Sequence, residues 1–379
     1  MNLFERDDKK VEYIELIYDL VFVYIVGRNN ALLHHFEGGF VAPVNMLAYV
    51  MCTLAIIQIW NFTTFYINMF GRNSARDHVC LFINMYLMYF IGEATRTDFA
   101  PYQAQYHIAW ALILINIGVQ YMIELRNHQA DVWNRDIIKR MALALFAEAA
   151  VVLIAAFTSM SLSIVLSALA IAVGVGLTSF GKFRSPGGAV DFMHLTERAM
   201  LYVVFTFGEM IITIATYFKG DGSFDLSVIY FSLMAFLIVA GLFLSYGLFY
   251  DHLLDRERED NGLLYMILHI FIIFALNNIT VSLEFMRMEE VALMPKMVFL
   301  VGSVIAFYML LFIACRYSKV SCRLSRSFDA RLAAVTAAFA ALMIVFRNNM
   351  YINIFITVAY VYTIVAAIYR SKVWLDSKE

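Results

Sequence analysis

The sequence predicts an all-α polytopic integral membrane protein, a helix bundle of about twelve spans arranged as two pseudo-equivalent six-helix halves. Three observations predict it. The 379-residue chain is 62% hydrophobic and only 15% charged, too little charge to cover a water-soluble surface. Polar residues cut it into apolar stretches of about 20 residues, the length that crosses ~30 Å of hydrocarbon as a helix. Lys and Arg gather in alternate connections, as the positive-inside rule requires of a multi-pass chain.

In order, the spans fall near 13–34, 43–69, 78–95, 103–125, 137–158 and 160–182 in the first half. Those of the second half fall near 194–217, 225–250, 262–284, 297–316, 329–347 and 350–370. The fifth and sixth, and the eleventh and twelfth, are joined by short polar breaks and are the least sharply divided. The expected organisation is a cytoplasmic tail 1–12, a first membrane half 13–182 and a linker 183–193. A second half 194–370 and a tail 371–379 follow.

Orientation follows from the basic residues. With the N-terminus inside, the inner segments carry Arg6, Lys9 and Lys10; Arg72 and Arg76; Lys139 and Arg140; Lys182 and Arg184; Arg256 and Arg258; and Arg316 to Arg331. The outer segments hold few: Arg96, Lys219, Arg287, Lys296 and Arg347. An even span count with both termini in the cytoplasm fits this alternation. Arg28-Asn29-Asn30 interrupts the first apolar stretch with no small-residue cleavage site, which argues against a cleaved leader.

Composition also excludes functions. A net charge of −2 offers no basic field for nucleic acid. Cys52, Cys80, Cys315 and Cys322 have no C-x-x-C spacing, so zinc and redox sites are not expected. Gly176–Lys182 imitates a phosphate loop, but Phe183 replaces the required Ser or Thr and no strand precedes it. No catalytic motif or metal-ligand set appears, and no cofactor is expected. The expected partners are the lipid bilayer and an unidentified small solute or ion, protons included.

An internal repeat supports the two halves. LVFVYIVGR (Leu20–Arg28) resembles LYVVFTFGE (Leu201–Glu209), and WNFTTFYINMFGR (Trp60–Arg72) resembles LSYGLFYDHLLDR (Leu244–Arg256). The two offsets differ by only three residues, which a loop absorbs. Six spans per half give parallel repeats about an axis along the membrane normal.

Intramembrane charge marks candidate sites, because such charge is costly and must face protein or water. Glu15 and Asp19 are at i and i+4 and share a helix face. Glu12 precedes them by about a turn, where the helix dipole itself favours an acid. Asp19 lies roughly 9 Å into the helix and needs a partner. Thr196, Glu197 and Arg198 stand near the start of the seventh span, where dipole and interface again accommodate charge. Glu209 lies about 20 Å deep in that span. The repeat aligns it with Arg28, so the two are expected at similar depth, paired across the halves. Asp251-His252 falls at an inner span end. Asn61, Asn84, Asn116, Glu148, Asn277 and Asn278 are expected mainly to bond helix to helix.

The stretches ELIYDLVFV and HLTERAMLYVVFTFGE resemble the two signatures of the bacterial low temperature requirement A family. IWNFTTFYINMFGR and SYGLFYDHL are similar to its other recurring features, and the resemblance runs from Glu15 to about Glu284. It points to Glu15, Asp19, Glu197, Arg198, Gly208, Glu209 and Asp251. Arg28 and Ala31 stand where the family pattern has a Gln and later a His. The resemblance implies a bacterial cytoplasmic-membrane protein linked by name to growth in the cold, without an agreed substrate. The leading expectation is a secondary transporter with titrating acids between its halves. The alternatives are a membrane-embedded enzyme acting on a lipid or isoprenoid, and a non-transporting scaffold or sensor.

Overall fold

Helix follows helix along nearly the whole chain, as apolar stretches without β-branched alternation dictate in lipid. The computed structural model describes residues 9–127, 132–179, 190–216, 225–319 and 326–376. Lys182, Arg184, Lys219, Cys322 and most of the 183–193 linker lie outside the described residues. Among the described residues there are twelve α-helices. They are α1 (Tyr13–Arg28), α2 (Pro43–Phe70), α3 (Ala75–Ala94), α4 (Gln103–Asn127), α5 (Val132–Ala155) and α6 (Met160–Ser179). Then come α7 (Phe192–Ala215), α8 (Leu226–Leu248), α9 (Leu263–Phe285), α10 (Leu293–Ala314), α11 (Arg326–Val345) and α12 (Met350–Asp376).

Nine of these are long and apolar enough to cross a bilayer, judged among the described residues. The others are α3, α5 and α11. Charges at one end thin the apolar part of α3 and α5, through Arg76-Asp77 and through Arg135, Asp136, Lys139 and Arg140. The apolar part of α11, Ala330–Val345, is short. The chain is thus an all-α polytopic membrane protein. Helix α12 continues to Asp376, past the end expected at 370.

Local signals place the helix ends. Pro43 sits in the first turn of α2, where its missing N–H costs nothing. Ser74 caps α3 by accepting from the Asp77 N–H, and Asp225 caps α8 through Ser227. Between α1 and α2 the chain forms a 3-10 turn (Asn29–His34) and a small hairpin, with Phe36 opposite Val41 and Glu37 opposite Phe40. Gly38 and Gly39 form its tip at φ +60° and +85°, a left-handed pair that suits a two-residue hairpin.

By packing, the chain divides into two compact units. The first holds residues to Tyr202 together with Glu257–Ile270, and the second holds Val203–Arg256 and Phe271–Glu379. In the first unit α4 runs along α3 and α5, α5 along α6, and α1 along α2 and α3. Helix α2 lies at its centre: every residue from Ala55 to Asn68 is buried. In the second unit α8 packs on α12 at Gly241, where a Cβ would sit 2.4 Å from Val361. There Phe339 stacks on Tyr360 at 4.2 Å, and Tyr308 hydroxyl meets Ser245 Oγ at 3.1 Å.

Helix α1 has its polarity turned inside out. Its outward face is Tyr13, Ile17, Leu20 and Tyr24, with Leu20 55% and Tyr24 61% exposed. Its inward face carries Glu15 and Asp19, 2% and 0% exposed. Residues spaced at i, i+3 and i+4 share a face, so the pattern follows directly from the sequence. It is the arrangement expected where lipid lies outside and charge must turn toward protein.

Candidate functional site

Within the first unit, α1, α2 and the N-terminal part of α7 build a buried charge cluster. Helix α1 supplies Glu15 and Asp19, α7 supplies Arg198 and His194, and α2 supplies Trp60 and Asn68. Arg198 is fully buried. Its Nε donates to Asp19 Oδ2 at 3.0 Å and its Nη2 donates to Asp19 Oδ1. The third arm, Nη1, donates to Glu15 Oε2. A planar guanidinium thus grips one carboxylate with a fork and reaches a second with its remaining nitrogen.

Each acid has a second anchor. Trp60 Nε1 donates to Asp19 Oδ1 at 2.8 Å, and the Trp60 ring packs on Tyr202 at 4.5 Å. Glu15 Oε1 accepts the Glu12 backbone N–H at 3.2 Å, tying it to the first turn of α1. His194 Nε2 stands 3.5 Å from Glu15 Oε2. Asn68 Nδ2 faces His194 Nδ1 at 3.0 Å, so that nitrogen accepts and the ring hydrogen belongs on Nε2, toward Glu15. Asn68 is itself fixed by the Asp191 backbone: it accepts from the N–H at 3.0 Å and donates to the carbonyl at 2.8 Å. Two carboxylates on one guanidinium leave the cluster one negative charge in excess.

A cavity of about 440 Å³ lies at the N-terminal end of α1, and Glu15 forms part of its wall. Glu12, Asp77 and Asp191 add acids to the lining, and Lys9, Lys10 and Arg72 add bases. Glu15 therefore belongs to both places: it holds Arg198 on one side and borders the cavity on the other. Burial pushes the Lys9 ammonium below its ordinary range, against the pull of Glu15. One turn deeper, Tyr18 hydroxyl meets Thr63 Oγ1 at 2.9 Å and accepts from Asn84 Nδ2 at 3.3 Å. Asn116 extends this chain by donating to Asn84 Oδ1 at 2.8 Å. The amides expected to bond helix to helix do so here.

Of the seven residues singled out from the sequence, the structure brings Glu15, Asp19 and Arg198 together. Glu197 is half-buried beside them, on another face of α7. Arg28 ends α1, exposed, roughly 13 Å along the helix from Asp19. Glu209 and Asp251 belong to the second unit. Thr213 Oγ1 donates to Glu209 at 2.9 Å, and Glu284 lies within electrostatic reach of it. Asp251 is exposed on a π-helical turn, Phe249–Leu253.

Sequence reasoning passed over His194, Trp60, Asn68 and Asp191. His194 had a usable signal, since it precedes Arg198 by four residues and shares its face. It also passed over Glu124, a further buried acid of the first unit, whereas Glu148 was among the groups expected to bond helix to helix. Glu124 pairs with Arg76 Nη2 at 2.5 Å. Glu148 accepts from Gln58 Nε2 at 3.2 Å, packed over Gly174.

The pattern described as bacterial low temperature requirement A protein (LtrA) matches residues 10–367, so it takes in α1, α2 and α7 with every member of the cluster, and leaves out Lys9 of the cavity lining. No curated protein and no solved structure matches this chain. The match spans nearly the whole length, and the chain belongs to the bacterial low temperature requirement A family.

Proposed function

We propose that this protein is a secondary transporter of the bacterial cytoplasmic membrane, with Glu15, Asp19 and Arg198 as its coupling site. One observation carries the reading. Glu15 is a buried carboxylate that shares Arg198 with Asp19 and also borders a polar cavity. Such an acid can exchange its partner: a proton or a cationic solute entering the cavity competes with the guanidinium for Glu15. Releasing one arm of Arg198 changes what holds α1 to α7, and so favours one conformation over another. With both termini in the cytoplasm, this cavity lies on the cytoplasmic side. Glu209, Arg28, Glu197 and Asp251 complete the proposed set of coupling residues, and the family's description points to growth at low temperature.

The test is solute flux in proteoliposomes, with and without an imposed pH gradient, across a panel of small solutes. Asp19→Asn is expected to reduce flux at least tenfold, while Glu12→Gln, which can stay hydrated, keeps it. Equal flux in both variants at matched incorporation would reduce the acids to structural roles.

A second reading has its own observation. His194 beside Glu15, itself part of a cavity wall, is a combination that a membrane-embedded enzyme acting on a lipid or isoprenoid would use. Turnover by detergent-solubilised protein, abolished in His194→Gln, would favour it over transport. A scaffold would show neither flux nor turnover.

A further inference from the structure

The C-terminus of α2 ends on the cavity. Gly71 turns into an extended conformation there, at φ −62° and ψ 134°. The last carbonyls of the helix lie at the negative end of its dipole, and Ile67 O already accepts the Gly71 N–H at 2.9 Å. They hold an ammonium group. Lys9 Nζ donates to Ile67 O, to Gly71 O at 2.9 Å and to Asn68 O at 3.4 Å. Three N–H donors meet three carbonyl oxygens, the full donor capacity of a primary ammonium. Glu15, Asp191 and Asp77 attract the same group, and the Arg198 guanidinium opposes them.

Lys9 is an unusual choice for a permanent strut. It precedes α1 by four residues, reaches in on a four-carbon stem, and loses hydration that its cage only partly replaces. Once its ammonium leaves, the cavity lining keeps four carboxylates, Glu12, Glu15, Asp77 and Asp191, against Lys10 and Arg72. The vacated place would be a carbonyl cage in an acidic wall, beside about 440 Å³ of space for the remainder of a ligand.

We propose that this cage is the binding site for a small primary amine, and that Lys9 is a tethered competitor that fills it until the amine displaces it. The inference rests on the transporter reading and names its substrate class. The amine's ammonium takes the three carbonyls, its body lies in the cavity toward Glu15, and the freed Lys9 returns to water. A tethered group competes at an effective concentration of order mM, so it weakens the apparent affinity without abolishing binding.

The experiment uses the purified full-length chain in detergent and follows its thermal unfolding in methylammonium chloride or tetramethylammonium chloride at equal concentration. The two cations carry the same charge, but only the first has N–H donors. Methylammonium is expected to stabilise the wild type, and to stabilise Lys9→Ala at an at least tenfold lower concentration. Tetramethylammonium should do neither. Equal effects of the two salts would overturn the inference. So would stabilisation of Lys9→Ala alone, which would make Lys9 a fixed helix cap. Stabilisation by KCl equal to that by methylammonium would assign the cage to inorganic cations and overturn the amine. The wild-type titration needs no variant, so a misfolded Lys9→Ala still leaves a decisive result. Amine binding without flux would keep this site and defeat the transporter reading. Flux without amine binding would do the reverse.

Discussion

Replacing Arg198 by Met tests the cluster directly. Met is similar in length and flexible, so the change removes charge and hydrogen bonds with little loss of volume. Arg198 is fully buried, and solvent cannot screen what remains. Asp19 would lose both fork bonds and keep only Trp60, and Glu15 would lose Nη1 and keep the Glu12 N–H and His194. Removing one partner of a buried pair costs about 3–5 kcal/mol, because an uncompensated charge stays behind. Here two carboxylates lose the same cation, so the upper end applies. At ~1.4 kcal/mol per factor of ten, the folding equilibrium constant should fall by about three to four orders of magnitude. The triple variant Glu15→Gln, Asp19→Asn, Arg198→Met removes every charge at once and should recover most of that loss, since neutral replacements of whole ion clusters are often tolerated. The assay is the monodisperse fraction on size exclusion after heating in detergent, at matched expression. An Arg198→Met protein as heat-stable as wild type, or a triple variant no better than the single one, would refute the reasoning.

Trp60→Phe keeps a ring against Tyr202 but deletes the hydrogen bond to Asp19 and part of the buried indole, so the cost should be at least the ~1.5–3 kcal/mol of a hydrogen bond to a charged group, read in the same heating assay. Gly174→Ala places a Cβ 1.8 Å from Glu148 Oε2 and 2.5 Å from Gln58 Nε2. The fully buried carboxyl and amide must shift to make room, which should destabilise by about 1–3 kcal/mol, and Glu148→Ala should relieve it. Reporter fusions at residue 379 and in the 126–136 and 316–330 loops should report cytoplasm, and one near Asp221 should report the outside. Residues 128–131, 221, 320–325 and 379 lie outside the described residues, and an outside C-terminus would end the even span count.

Much of the fold was legible because lipid leaves few solutions. Length, hydropathy and basic loops suffice to find helices, and α2 begins at Pro43 as its Pro suggests. The shared face of Glu15 and Asp19 was legible for the same reason, since i and i+4 on a helix allow one geometry. What spacing cannot supply is the partner. Asp19 and Arg198 are 179 residues apart, and no periodicity reaches across that interval. Only the resemblance to a family put Arg198 beside the acids. Depth along the helix also misdirected attention. Arg198 lies six residues after Phe192 at the start of α7, where charge is easily accommodated near water, yet it is fully buried. Burial depends on what packs around a position, and α1 and α2 cover this one. His194 was missed similarly, since a lone histidine near a helix start has many uses until its neighbours are known.

The inverted polarity of α1 bears on how the chain is made. Translated before α7, α1 meets the membrane with Glu15 and Asp19 and without the Arg198 that will hold them. An acid near the middle of an inserting helix costs about 2.5–3.5 kcal/mol. Arg198 follows Asp19 by 179 residues, roughly 10–35 s later at ordinary rates of synthesis. Through that interval α1 must stay near the interface, lean on α2 through Trp60, or be shielded by the insertion machinery. Its final seat is completed by α7, so a chain truncated before α7 would carry two acids with nothing to neutralise them. The charges of α1 are thus matched only once α7 is in place.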